Sequence, residues 1–114
     1  MEEKKVTVPQ IRAMKASQRI GMLTAYDYPS AKIADAAGAD ILLVGDSLAD
    51  IVAGQDSTLR VTLDQMIYHV RATRRGCRRA LLVVDMPFLT YQVSSEDAMR
   101  NAGRIMQETG AQAV

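Results

Sequence analysis

The chain has 114 residues, 48% apolar and 24% charged, with 14 basic and 13 acidic side chains and a net charge of +1. That length sets one domain as the prior, residues 1–114, and the balanced charge gives no general pull toward nucleic acid, membranes or acidic partners. One cysteine, Cys77, excludes an internal disulfide or a multi-cysteine metal centre; with no signal peptide and no apolar run near the roughly 18 residues of a membrane span, a cytoplasmic protein is expected.

In chain order, Thr7, Pro9 and Gln10 predict a helix start, with Thr7 as cap and Gln10 three residues on. Ile11 and Met14 share a face, so a short amphipathic helix is expected over 9–16, within a leading segment 6–16. Residues 20–25 read as a first strand, weakened by Gly21. A loop at 26–28 leads to a helix with Pro29 in its first turn, which runs to Ala37 and ends on Gly38. The apolar run Ile41-Leu-Leu-Val follows as a strand expected to be buried on both faces.

The stretch 46–60 shows neither helical nor strand periodicity and reads as a long, functional loop. Thr62 and Gln65 form a second capping box, opening a helix with Met66, Ile67 and Val70 on one face that closes near Gly76. Residues 80–84 are the third strand, stopped by Pro87. Ser94 or Ser95 caps a helix with Glu96 and Asp97 in its first turn and Ala98, Met99, Ala102, Ile105 and Met106 facing inward. It stops at Gly110, and 111–114 opens a fourth strand. A helix followed by three βα units means a parallel sheet with right-handed crossovers. A doubly wound sheet and the first part of an eight-stranded βα barrel both accept that order.

Candidate chemistry gathers after the apolar strands. Gly45 permits a turn, and Asp46 and Ser47 then stand at the strand exit, where α/β folds place ligands. Asp85 ends the third strand in the same way. Two hard carboxylates at two strand exits suit magnesium, which takes one or two carboxylates, several waters and substrate oxygens. The bland alternative is that each aspartate caps its own turn, and that Ser47 is a turn residue. His69, the single histidine, lies mid-helix and reads as structural. Cys77 sits in a basic run that could lower its pKa, although arginines closing a helix end are the simpler account. Five arginines between Arg71 and Arg79 lack the interleaved aromatics of a nucleic-acid surface, and no phosphate-binding glycine motif is present.

Several stretches together resemble ketopantoate hydroxymethyltransferases. They are Thr24-Ala-Tyr-Asp-Tyr, Leu43-Val-Gly-Asp-Ser-Leu, Gly54-Gln-Asp-Ser-Thr-Leu, Tyr68-His69, Val84-Asp-Met-Pro-Phe, Tyr91-Gln, Asn101-Ala and Gly110-Ala-Gln-Ala-Val. The resemblance covers the chain from about Val6 onward and implies an α/β fold of the TIM (βα)8 barrel family. Here that means a leading helix, three βα units and the start of strand four.

The resemblance further implies transfer of a hydroxymethyl group from 5,10-methylenetetrahydrofolate to α-ketoisovalerate, giving ketopantoate for pantothenate synthesis. Asp46 and Asp85 would be Mg2+ ligands, and Asp46, Ser47 and Asp85 would contact the 2-oxo acid. The ion would stabilise the enolate formed when the C3 proton leaves. A homo-oligomer, without nucleic-acid or membrane partners, is implied for the full-length enzyme.

Ala49 and Asp50 depart from a Gly-Met-like pair, Gln55 from a common histidine and Arg60 from a common proline, which bears on loop shape. In the family a Lys-x-Glu motif follows the residues matching 111–114, and the general base comes later still, so the base is expected beyond Val114. The chain is therefore expected to be an incomplete, inactive N-terminal fragment that leaves an apolar strand edge open. Three other readings stand beside it: a related Mg-dependent 2-oxo-acid barrel lyase, a receiver-like phosphoacceptor module, and a non-catalytic fragment that folds only by associating with a partner or with itself.

Overall fold

Capping chemistry sets most boundaries in the computed structural model, which describes residues 4–114. Helix α1 (Val8–Met14) opens on the Thr7–Gln10 capping box, the two reciprocal bonds measuring 3.3 and 2.9 Å. It ends two residues sooner than expected: Lys15 is already non-helical and Ala16 takes a φ of 65°, which breaks the ladder. Strand β1 (Met22–Thr24) is shorter than 20–25, although Gly21 and Ala25 extend its bonding to 40–43 on either side. Helix α2 (Tyr28–Ala36) is capped by Asp27, so Tyr28 belongs to its first turn rather than to the loop. Gly38, at φ 94°, supplies the left-handed residue beyond the helix.

Strand β2 (Ile41–Val44) leads into the stretch that lacked periodicity. It holds a one-turn helix α3 (Leu48–Ile51) and a 3-10 turn, Thr58–Arg60, both too short for a periodic signal. Helix α4 (Leu63–Gly76) opens on the Thr62–Gln65 box, as its sequence requires. Strand β3 (Leu81–Val84) and helix α5 (Ser95–Thr109) follow, the latter capped by Ser94 and terminated by Gly110 at φ 78°. No helix among the described residues is long and apolar enough to cross a membrane.

The sheet is parallel, in the order β1-β2-β3, with Met22 opposite Ile41 and Ile41 opposite Leu81. The last residues continue it: Gln112 donates to Leu82, Val84 donates to Ala113, and Ala113 bridges Val83 in parallel. Of the expected strand opening at 111–114, only this single bridge forms, and Val114 stands outside it, exposed. Strand order thus follows chain order through four positions. Doubly wound sheets place β1 or β4 elsewhere, in orders such as 3-2-1-4 or 2-1-3.

Consecutive right-handed crossovers put successive helices on one side of a sheet. Ala31 and Ala34 of α2, Met66, Ile67 and Val70 of α4, and Ile105 of α5 share one core with Leu42, Val44, Leu82 and Val84. On the opposite face Ile41, Leu43 and Val83 are half-buried, while Leu81 is buried. The expectation that β2 is buried on both faces therefore holds for one face alone. Helix α5 also corrects its forecast. Ile105 and Thr109 are buried, but Met99 and Met106 are 75% and 43% exposed, so the covered face is narrower than the run of apolar positions implies.

One buried acid fastens the layers. Asp35 accepts hydrogen bonds from the backbone N–H groups of Arg78, Arg79 and Ala80 at 2.7–3.2 Å, tying α2 to the entry of β3. The arginine run is structural too. Arg71 reaches Glu108, Arg74 reaches the Cys77 carbonyl, and Arg79 reaches Asp40 and the Ala39 carbonyl.

Candidate active site at the strand exits

Parallel strands bring all their carboxyl ends to one edge, so Tyr26, Asp46 and Asp85 emerge side by side. The Asp85 backbone N–H donates to the Val44 carbonyl at 3.0 Å, which sets the register of that edge. Asp85 Oδ2 then accepts the backbone N–H of Asp46 at 3.2 Å, across the strands rather than within its own turn. The self-capping alternative fails for Asp85. The Asp46 carboxylate accepts no hydrogen bond among the described residues, and neither aspartate joins an ion pair there.

Gly45 makes this crossing possible. A Cβ at that position would lie 3.1 Å from Ser47 Oγ and 3.2 Å from Asp85 Oδ2. Ser47 leads into α3 yet makes no side-chain cap. Its hydroxyl instead sits 2.7 Å from the Tyr26 hydroxyl. The three residues singled out by sequence are thus brought together, and Ser47 is more than a turn residue.

Tyr26 is the member that sequence reasoning missed. It leaves β1 as Asp46 leaves β2, and that equivalence was the available signal. His69 Nδ1 donates to the Tyr26 carbonyl at 2.8 Å, with its ring edge-on to Tyr68. That bond ties α4 to the exit of β1, in line with a structural role for His69.

The donor set is oxygen-rich: two carboxylates without cationic partners and two hydroxyls. It fits a hard divalent ion that keeps most of its waters. Among the described residues, no group of three or more His, Cys, Asp or Glu side chains is placed to hold such an ion. Beyond Asp85, an open groove of about 560 Å³ is lined by Met86, Tyr91, Gln92 and Met99 among others. Asn101 braces its rim by donating to the Thr90 carbonyl at 2.7 Å.

The loop departures map simply. Ala49 is buried, and its carbonyl accepts the Gln55 N–H at 2.8 Å; Asp50 and Arg60 face solvent. Cys77 is buried before the start of β3, at the opposite end of that strand from Asp85. Burial pushes its thiol pKa up, with only partial opposition from Lys5 and Arg74, so the basic run does not activate it.

The sequence profile of the ketopantoate hydroxymethyltransferases matches residues 5–114. The chain belongs to that family. A 3-methyl-2-oxobutanoate hydroxymethyltransferase from Pelobacter propionicus is 58% identical over 97% of this chain and 42% of its own length. Its counterpart from Carboxydothermus hydrogenoformans is 56% identical over 96% of this chain and 40% of its own. The chain therefore spans about two-fifths of the length of these relatives. A solved 2,3-dimethylmalate lyase of the PEP mutase/isocitrate lyase superfamily superposes with a TM-score of 0.65 at 20% identity. That likeness covers 92% of this chain and 38% of the lyase, and it establishes a shared parallel α/β fold.

Proposed function

We propose that this chain carries the strand-exit part of a 3-methyl-2-oxobutanoate hydroxymethyltransferase site. In that site Asp46 and Asp85 hold Mg2+, and Asp46, Ser47 and Asp85 contact α-ketoisovalerate. The observation that carries the reading is that Asp85 Oδ2 crosses to the Asp46 backbone N–H and shares the space over Gly45 with Ser47 Oγ, at one sheet edge in a chain of this family. Residues 20–114 would form the first βα units of a (βα)8 barrel behind a leading helix at 6–16. Sequential strand order and helices on one sheet face both favour a barrel wall.

In the transfer, the C3–H bond breaks and a C–C bond forms to the one-carbon unit of methylenetetrahydrofolate. Water supplies the new hydroxyl as tetrahydrofolate leaves. A bound magnesium ion would supply Lewis-acid polarisation of the keto group. Asp46 and Asp85 place negative charge at the edge, and the hydroxyl of Ser47 is a donor for an anionic substrate group. By resemblance, the general base and further ligands belong to family positions beyond the one matched by Val114.

The test follows α-ketoisovalerate by NMR with and without Mg2+. Weak, magnesium-dependent binding to this chain is expected, lost in Asp85→Ala, with no deuterium entering C3. Binding that ignores both magnesium and Asp85→Ala would sink the reading, and C3 exchange would show that the chain already holds a base. The lyase likeness carries fold alone and lends no support to lyase chemistry. A receiver module needs β1 between β2 and β3, and the observed order excludes it.

A further inference from the structure

We infer that Tyr26 is a positioning residue for the candidate site, fixing the Ser47 hydroxyl so that its proton points toward an acceptor on the bound 2-oxo acid. The inference rests on the reading proposed above. Its starting point is the contact of 2.7 Å between the Tyr26 and Ser47 hydroxyls. Two hydroxyls carry two protons, and a single contact consumes one. The remaining proton is free to donate to a ligand. A phenol is the more acidic hydroxyl and hence the stronger donor, so Tyr26 donates and Ser47 keeps the outward proton. Polarised by the incoming bond, Ser47 becomes the better donor to a carboxylate or keto oxygen.

The frame around the pair is rigid where it needs to be. Ala25, next to Tyr26, donates its backbone N–H to the Leu43 carbonyl at 3.0 Å, locking the exit of β1 to β2. The Tyr26 carbonyl is held by His69 Nδ1 at 2.8 Å from α4. The phenol therefore approaches Ser47 from a backbone pinned on two sides. Ser47, lacking any cap bond to its own helix, has no competing use for its hydroxyl. Both side chains are half-buried, which leaves them open to a ligand while partly shielded from water.

The experiment uses the 114-residue chain labelled with 3-fluorotyrosine, with α-ketoisovalerate and Mg2+ as the probe. The 19F resonance of Tyr26, assigned by its loss in Tyr26→Phe, is expected to move in Ser47→Ala without ligand and to move again as the oxo acid is added. Tyr26→Phe is expected to weaken oxo-acid binding about three- to tenfold, the range for one hydrogen bond. In the Ser47→Ala background the same change should cost nothing, because Tyr26 acts through Ser47.

Equal binding by Tyr26→Phe and the unsubstituted chain, or losses that simply add, would overturn the inference while leaving the proposed function standing. A 19F resonance indifferent to both Ser47→Ala and ligand would also overturn it, and needs no variant at Tyr26 itself beyond the assignment. No binding by the unsubstituted chain would remove the proposed function, and this inference with it.

Discussion

At the scale of single residues, the candidate site depends on what Gly45 lacks. The position needs no left-handed backbone, so glycine is required by space rather than by φ. In Gly45→Ala the new methyl would press on Ser47 Oγ and Asp85 Oδ2 at 3.1 and 3.2 Å. Those neighbours can yield by a few tenths of an ångström, so the stability cost should be about 1 kcal/mol. The same shift misplaces two groups of the proposed ligand site, and magnesium-dependent oxo-acid binding should fall by about tenfold. Calorimetric melting beside NMR titration separates the two effects; an unchanged affinity would show that the crossing geometry does not matter. Cys77 gives a pH prediction. Its folded thiol pKa is raised by burial, so the buried neutral form stabilises the fold fully below the unfolded value of about 8.5. Above that pH the unfolded chain loses its proton first, and stability should decline as pH rises toward the folded pKa. Alkylation by iodoacetamide at neutral pH should track unfolding, and fast labelling of the folded chain would contradict the burial. The strand-exit positions of Asp46, Ser47 and Asp85 were legible because polar residues directly after apolar strands stand out. Tyr26 was not, since a tyrosine in a loop carries no such contrast, and Asp35 was not, since its partners are backbone groups 43–45 residues away.

Among elements, the tightest junction is that of α2 with α4. Gly76 closes α4, and a Cβ there would lie 2.6 Å from the Tyr28 carbonyl oxygen and 2.9 Å from the Lys32 nitrogen. Alanine for glycine inside a helix ordinarily gains about 1 kcal/mol. Here both obstacles are backbone atoms, and parting two packed helices costs about 3 kcal/mol. The clash wins, so Gly76→Ala should lose about 2 kcal/mol and melt roughly 10 °C lower. A gain in melting temperature would mean that the helices can separate freely. Element boundaries were readable where chemistry marks them. The boxes at Thr7–Gln10 and Thr62–Gln65, the cap at Ser94 and the glycines at 38 and 110 all lie where local hydrogen bonding demands. The one-turn helix α3 escaped because so short an element cannot show a period. The inward face of α5 was misjudged because periodicity reports which residues share a face, not whether anything covers it.

For the whole molecule, the open flank of the sheet decides behaviour in solution. Strand β1 is terminal in the order β1-β2-β3, so its outer backbone groups have no ladder partner among the described residues. Its side chains offer no protection, for Met22 and Leu23 are 54% and 49% exposed and neither is charged. An apolar, unguarded edge of this kind pairs with another chain. The chain should therefore self-associate as its concentration rises, which sedimentation velocity would detect. Leu23→Lys should shift the population toward monomer, since a lysine on the edge must be desolvated for a second strand to dock. Ile33 provides the control. It is 72% exposed on α2 and thus more accessible than Leu23, but it lies on a helix. If Ile33→Lys dissolves the assembly as well as Leu23→Lys does, general surface apolarity drives it. If only the strand substitution acts, the driving force is the unpaired backbone of β1. The second outcome is expected, because apolar residues scattered singly on a helix surface are ordinary, whereas a free strand edge is a template.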